Sequence, residues 1–174
     1  LKKMQVDEKI DGIEKELQEL AKKQDDLKNA VADKRVGREE AVEKQKEIND
    51  QFDQIKDDLK KLDELNDALI RPMDLPSLEE LQDEIDSDLN DSKENLSKGK
   101  DSKAGQSQKG AAEKMEKMAQ QLDQAQMDSN QQQQGEDLEM LRAILESLIT
   151  LSVEQEGVMH KFQKVMQDDP NYRF

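Results

Sequence analysis

Val6, Ile10, Ile13, Leu17, Leu20, Leu27 and Val31 follow one another at alternating steps of four and three, with one polar residue, Gln24, in the series. Ile48, Phe52, Ile55, Leu59, Leu62 and Leu69 continue the same spacing, with Gln45 and Asn66 among them. A repeat averaging about 3.5 residues puts these side chains on one narrow stripe of an α-helix, the a/d seam of a coiled coil. A helix whose apolar surface is confined to such a stripe needs a second helix to cover it. Acid-to-base pairs four apart, Glu19–Lys23, Glu40–Lys44 and Asp57–Lys61, support the helix by roughly 0.3 kcal/mol each.

Between the two runs lies "VADKRVGREE". Carrying the register through it places Lys34 and Arg38 on the seam, with Gly37 beside them. Two arrangements satisfy the pattern. One is a single rod from residue 4 to 70, roughly 100 Å long at 1.5 Å per residue. The other is a turn near Asp33–Gly37 that folds two helices of similar length against each other. Phase continuity favours the rod. Two seam cations and a glycine favour the turn, because a lone rod would leave its stripe uncovered, and the hairpin is the expectation adopted.

Pro72 and Pro76 in "RPMDLPS" end the second helix, since each removes a donor and pushes the preceding residue out of the helical region. Ser77 with Glu80 three residues on forms a capping-box pattern, followed by the stripe Leu78, Leu81, Ile85, Leu89 and Leu96. The glycines of "SKGKDSKAGQSQKG" predict a break, with Asp101 as a candidate N-cap. From Ala104 to about Met127 the stripe consists of small residues and Met: Ala111, Ala112, Met115, Met118, Ala119, Leu122 and Met127. "DSNQQQQGED" contains no apolar residue and reads as a linker. A last helix then carries Leu138, Leu141, Leu145, Leu148, Met159, Phe162 and Met166 on one face, widened by Ile144, Ile149, Leu151, Val158 and Val165, and stops at Asp169–Pro170. A face this broad belongs to a helix with more than one neighbour, and the Ala/Met face of Ala111–Met127 is its expected cover.

The expected fold is therefore all-α. A coiled-coil helical hairpin (1–71) is followed by a shorter helix–turn–helix (72–127), a Gln-rich linker (128–137) and a C-terminal amphipathic helix with its tail (138–174).

Composition narrows the function classes. With 40% charged and 2% aromatic residues, no Trp and a net charge of -15, most of the surface repels phosphate, which argues against nucleic acid and anionic lipid. The absence of cysteine removes disulfide and thiolate chemistry. No apolar run reaches the ~20 residues needed to span a bilayer. His160 is the sole histidine, and Glu156 lies four residues before it, not three as in the di-iron bundles. Gly99, Gly105 and Gly110, with Lys98, Lys100, Lys103 and Lys109, lack the strand and the G-K-[ST] ending of a phosphate loop. No catalytic, cofactor-binding or metal-ligating residue is singled out, and the chain reads as non-enzymatic.

The succession "LNDALIRPMDLPSLEELQDEI", "LSKGKDSKAGQSQKGAAEKMEKMAQQLDQAQM", a glutamine tract, "LEMLRAILESLITLSVEQEGVM" and "DDPNYRF" resembles the helical part of very large Bacteroidetes envelope proteins, a family without an assigned function. The likeness covers the whole chain and is firmest around Leu65–Pro76 and Ala104–Tyr172. It implies a piece of a longer protein anchored in the membrane by segments outside this fragment, with the soluble part on the periplasmic side of the inner membrane of the cell envelope. It brings no catalytic residues with it. The expected role is a helical interaction or spacer segment, with a holdase-like, client-binding module as the alternative. Leu145, Leu148, Ile149, Leu151, Val158, Met159 and Phe162 are the candidate contact residues. Their partners would be other proteins, other parts of a longer chain, or further copies of this one.

Overall fold

The computed structural model describes residues 2–168, with side-chain exposure given as far as Met166. Among the described residues the chain is all-helical: α1 (Lys2–Ala32), α2 (Arg38–Asp67), α3 (Glu79–Ser97) and α4 (Asp101–Asp168). They divide into two compact units, one ending at Ser129 and the other beginning at Asn130. The expected stop at Asp169–Pro170 lies outside the described residues. Residues 4–70 are not one helix, because α1 ends at Ala32 and α2 starts at Arg38.

In the first unit the cross-helix contacts set the directions. Lys9 pairs with Asp58 at 2.9 Å and Lys23 Nζ donates to Gln51 Oε1 at 2.9 Å, so α1 and α2 run antiparallel. Lys56 pairs with Asp86 at 2.6 Å and Ser92 meets Gln45, which makes α2 and α3 antiparallel. Lys114 reaches Asp88 at 2.7 Å and Glu84 at 3.3 Å, joining the first part of α4 to α3. Gln126 donates to Asp11 Oδ1 at 3.0 Å, while Gly105 lies beside Lys28, so the same stretch runs against α1. Four helices that alternate in direction around one core form an up-and-down bundle. The stripes explain it: Ile10, Leu17, Phe52, Ile85, Leu89, Met115, Met118 and Leu122 are all fully buried in a single cluster.

The polar members of the stripes have partners. Gln24, Gln45, Ser92 and Gln108 come one from each helix and are all 0% exposed. Gln45 Oε1 accepts from Gln24 Nε2 at 2.8 Å, Ser92 Oγ at 2.7 Å and Gln108 Nε2 at 3.1 Å. Gln45 Nε2 donates to Gln24 Oε1 at 2.9 Å and to Asn49 Oδ1 at 3.1 Å. Gln45 is the hub of a polar layer across the bundle. Asn66 works differently: its Nδ2 donates to the Met73 carbonyl at 2.9 Å, and the Met73 N–H donates to its Oδ1 at 2.7 Å, holding the loop between α2 and α3 on the core.

The turns at the other end share one geometry. After α3, the Gly99 N–H donates to the Leu96 carbonyl and the Lys100 N–H to the Asn95 carbonyl, a Schellman cap with Gly99 at φ 68°. After α1, the Lys34 N–H donates to the Val31 carbonyl and the Arg35 N–H to the Ala30 carbonyl. The left-handed position there is held by Lys34, at φ 55°. Lys34 is therefore a turn residue. The Ser77–Glu80 capping box does not form: α3 begins at Glu79 after Leu78, with no side-chain cap bond. Leu78 is only 7% exposed, so burial of this apolar residue fixes the entry to α3, and Glu79 and Glu80 face the positive end of the helix dipole.

The expected break falls between Ser97, where α3 ends, and Asp101, where α4 starts. Gly105 and Gly110 lie inside α4. A Cβ on Gly110 would come within 2.7 Å of Asp88 Oδ2, so the glycine gives room for the Asp88 carboxylate that pairs with Lys114. The Gln-rich tract 128–137, expected to be a linker, is continuous helix as well. Glutamine is a good helix former, and one interior glycine, Gly135, costs only about 1 kcal/mol relative to Ala. What changes near residue 130 is burial, and the helix runs on.

Replacing Gln45 by Leu strands three buried partners and should destabilise the first unit by about 2–4 kcal/mol in urea unfolding. Making Gln24, Gln45 and Gln108 all Leu, with Ser92→Ala, should recover much of that loss. Lys34→Gly removes a left-handed lysine and should raise stability by about 0.5–1 kcal/mol in the same measurement. Carboxylates give a pH signature. Hydrogen bonds from Lys9 and then Lys61 hold Asp58 below the usual aspartate range, so its contribution is present at neutral pH and is lost as pH falls through and below about 4. Burial, then Asp67 and Glu79, push Asp63 up, so its ionised form opposes folding and the strain is relieved as pH falls through its raised pKa. Asp58→Asn should therefore cost about 0.5–1 kcal/mol at pH 7, and Asp63→Asn should gain about 0.3 kcal/mol there. Both differences should fade at acid pH.

Candidate interaction face

Every residue from Asn130 to Met166 is exposed. This stretch is also the most apolar of the chain. Leu138, Leu141, Leu145, Leu148, Met159, Phe162 and Met166 repeat at the seam spacing, with Ser152 and Gln155 completing the series. Ile144, Leu151, Val158 and Val165 recur at steps of seven alongside it, adding a second stripe of the kind seen in helices that face a multi-helix core. Met140 and Val153, which the sequence pattern alone does not single out, extend the face at its margins and are 63% exposed.

The seven candidate contact residues share this surface. Leu145 is 59% exposed, Leu148 57%, Ile149 60%, Leu151 52%, Val158 65%, Met159 62% and Phe162 61%. The Ala/Met face that the sequence offers as cover is itself buried within the first unit. Ala111, Met115, Met118 and Leu122 are already buried in the core cluster with residues of α1, α2 and α3, and Met127 is 55% exposed. Small side chains on that face serve the four-helix core.

Polar chemistry near the face is local. Ser147 Oγ donates to the Ala143 carbonyl at 2.8 Å and Thr150 Oγ1 to the Glu146 carbonyl at 2.9 Å, so both hydroxyls turn back on their own helix. His160 is exposed, like Glu156, and no group of three or more potential metal ligands occurs among the described residues. An open groove of about 470 Å³ beside α1 and α2 is lined by Lys23, Asp26, Lys44 and Glu47. It mixes both signs of charge, and Lys44 is engaged by Glu40 at 2.8 Å. No helix among the described residues is long and apolar enough to cross a membrane.

No family model, curated protein or solved structure matches the chain.

An exposed leucine gives little to the stability of its own chain. Leu145→Ala should change the unfolding free energy of the isolated protein by less than about 0.5 kcal/mol. Leu17→Ala, in the bundle core, should cost about 2–5 kcal/mol. A large effect at Leu145 would mean that the face is covered within the chain.

Proposed function

We propose that the chain is a non-enzymatic helical interaction or spacer module. In this reading α1 and α2 form a coiled-coil hairpin within a rigid bundle, and the later part of α4 presents an apolar face to a protein partner. The observation that carries the reading is the uninterrupted exposure of Asn130–Met166 on a helix whose earlier part is buried in a core. Fourteen large apolar side chains between Leu138 and Met166 are 44–65% exposed. Monomeric proteins rarely expose contiguous apolar patches beyond a few hundred Å². The resemblance to large envelope proteins supports a site on the periplasmic side of the inner membrane, with any anchor outside this fragment. The acidic balance, -15 overall, favours protein over nucleic acid as partner.

The alternative, a holdase-like module, draws on the methionines of the face, Met140, Met159 and Met166, since Met-rich surfaces adapt to varied clients. Photo-crosslinking groups placed at Leu145 and Val158 in cells separate the two. The interaction reading expects a few discrete adducts in the envelope fraction, together with no suppression of aggregation of a denatured test protein. A continuum of adducts with such suppression would establish the holdase instead, and no adducts at either position would remove both.

A further inference from the structure

We infer that the partner of this face is the same segment of a second copy, running antiparallel. The inference rests on the interaction reading above and specifies its partner. Three observations favour it.

The area suffices. The eleven exposed apolar side chains of the seam and the second stripe amount to on the order of 1,000 Å² of apolar surface, comparable with the roughly 800 Å² per partner of a standard interface.

The seam is self-complementary. In an antiparallel pair, a positions of one helix meet d positions of the other. Setting Leu145 against Phe162 of the second copy also sets Leu148 against Met159 and Leu141 against Met166. It brings Ser152 onto Gln155, the only polar positions in the series Leu138–Met166. Sliding by one heptad either way puts Gln155 against Leu145, or Ser152 against Phe162, and buries an unpaired polar group. Ser and Gln already hydrogen-bond across the core of the first unit, where Ser92 donates to Gln45.

The second stripe and the charges choose the direction. An antiparallel pair places Ile144 beside Val165 and Leu151 beside Val158, covering the second stripe. It leaves Ile149 beside Glu156 as its one mismatch. A parallel pair instead puts Leu151 beside Glu156 and Val158 beside Gln163. From Asp137 to Glu156 the charged residues are acidic apart from Arg142, whereas from Gly157 to Met166 they are Lys161 and Lys164. Opposed directions set the acidic half against the basic half, with Glu146 level with Lys161. Parallel helices would align like with like.

The chain contains no cysteine, so single thiols report pairing without background. Leu145→Cys and Phe162→Cys variants of the full chain, one isotopically labelled, would be mixed, equilibrated and oxidised gently. Both positions are exposed, so neither change disturbs the core. The expected result is a dimer in sedimentation equilibrium, with 145–162 cross-links exceeding 145–145 cross-links by about tenfold or more. That excess corresponds to a preference of at least about 1.4 kcal/mol. Predominant 145–145 cross-links would overturn the antiparallel arrangement. A chain that stays monomeric far above about 1 μM, a concentration corresponding to about −8.2 kcal/mol, would overturn self-association, while discrete in-cell adducts with another protein would leave the interaction reading standing.

Discussion

The Gln45 carboxamide is the point at which the four helices of the bundle are tied to one another. An apolar seam repeating every heptad is tolerant of sliding, because each register one heptad away again sets Leu or Ile against Leu or Ile. Gln24, Gln45, Ser92 and Gln108 remove that tolerance. Each occurs at one level of its own helix, and only one alignment brings all four together. A shift of one heptad in any helix would leave a buried amide or hydroxyl without its partner, at a cost of about 1–3 kcal/mol per group. All four side chains are fully buried, and among the described residues Gln108 Oε1 has no protein partner. The layer has the character of a register device.

The ion pairs follow from that register and do not set it. Lys9–Asp58, Lys56–Asp86 and Lys114–Asp88 each bridge two helices near the bundle surface, where screening leaves them at most about 1 kcal/mol each. Their positions are useful as markers of direction. The end turns are likewise subordinate. Gly99 and Lys34 occupy the same left-handed position of two Schellman caps, but only one has the residue that geometry prefers. The α1–α2 connection holds its shape because the helices on both sides of it are fixed by the core.

Periodicity made the helices and the core legible, because burial in this bundle obeys the same repeat that the sequence displays: Val6 through Val31 and Ile48 through Leu62 are buried residue for residue. The meaning of the polar positions was not legible. Gln24 and Gln45 look like flaws in a seam until Ser92 and Gln108 are brought to them from more than 40 residues away. The tract 128–137 was misread for a different reason. Lack of apolar side chains says that a segment will not be buried, which is true here, but it does not say that the segment will not be helical. The small residues and methionines of Ala111–Leu122 had a reading of their own that the stripe alone did not show: they fill the core between three other helices of the first unit.

Separating helicity from burial explains how α4 can be one helix with two surroundings. An isolated helix in water must form its first turn unaided, an event disfavoured by a factor of about 10³, or roughly 4 kcal/mol, after which each further residue is close to neutral or mildly favourable. In α4 the first turns belong to residues such as Ala104, Ala111 and Met115, buried in the bundle. Tertiary packing therefore supplies the nucleus, and the glutamines need only propagate it. The apolar face beyond Asn130 thus reaches solvent with its side chains already at helical spacing. Under the proposed interaction, association would cost little backbone entropy on this side, since the roughly 1–2 kcal/mol per ordered residue has already been met in the free chain. Exposure of so much apolar surface is unfavourable by itself. Held on a helix nucleated by a stable core, it keeps its apolar side chains at fixed spacing in the free chain.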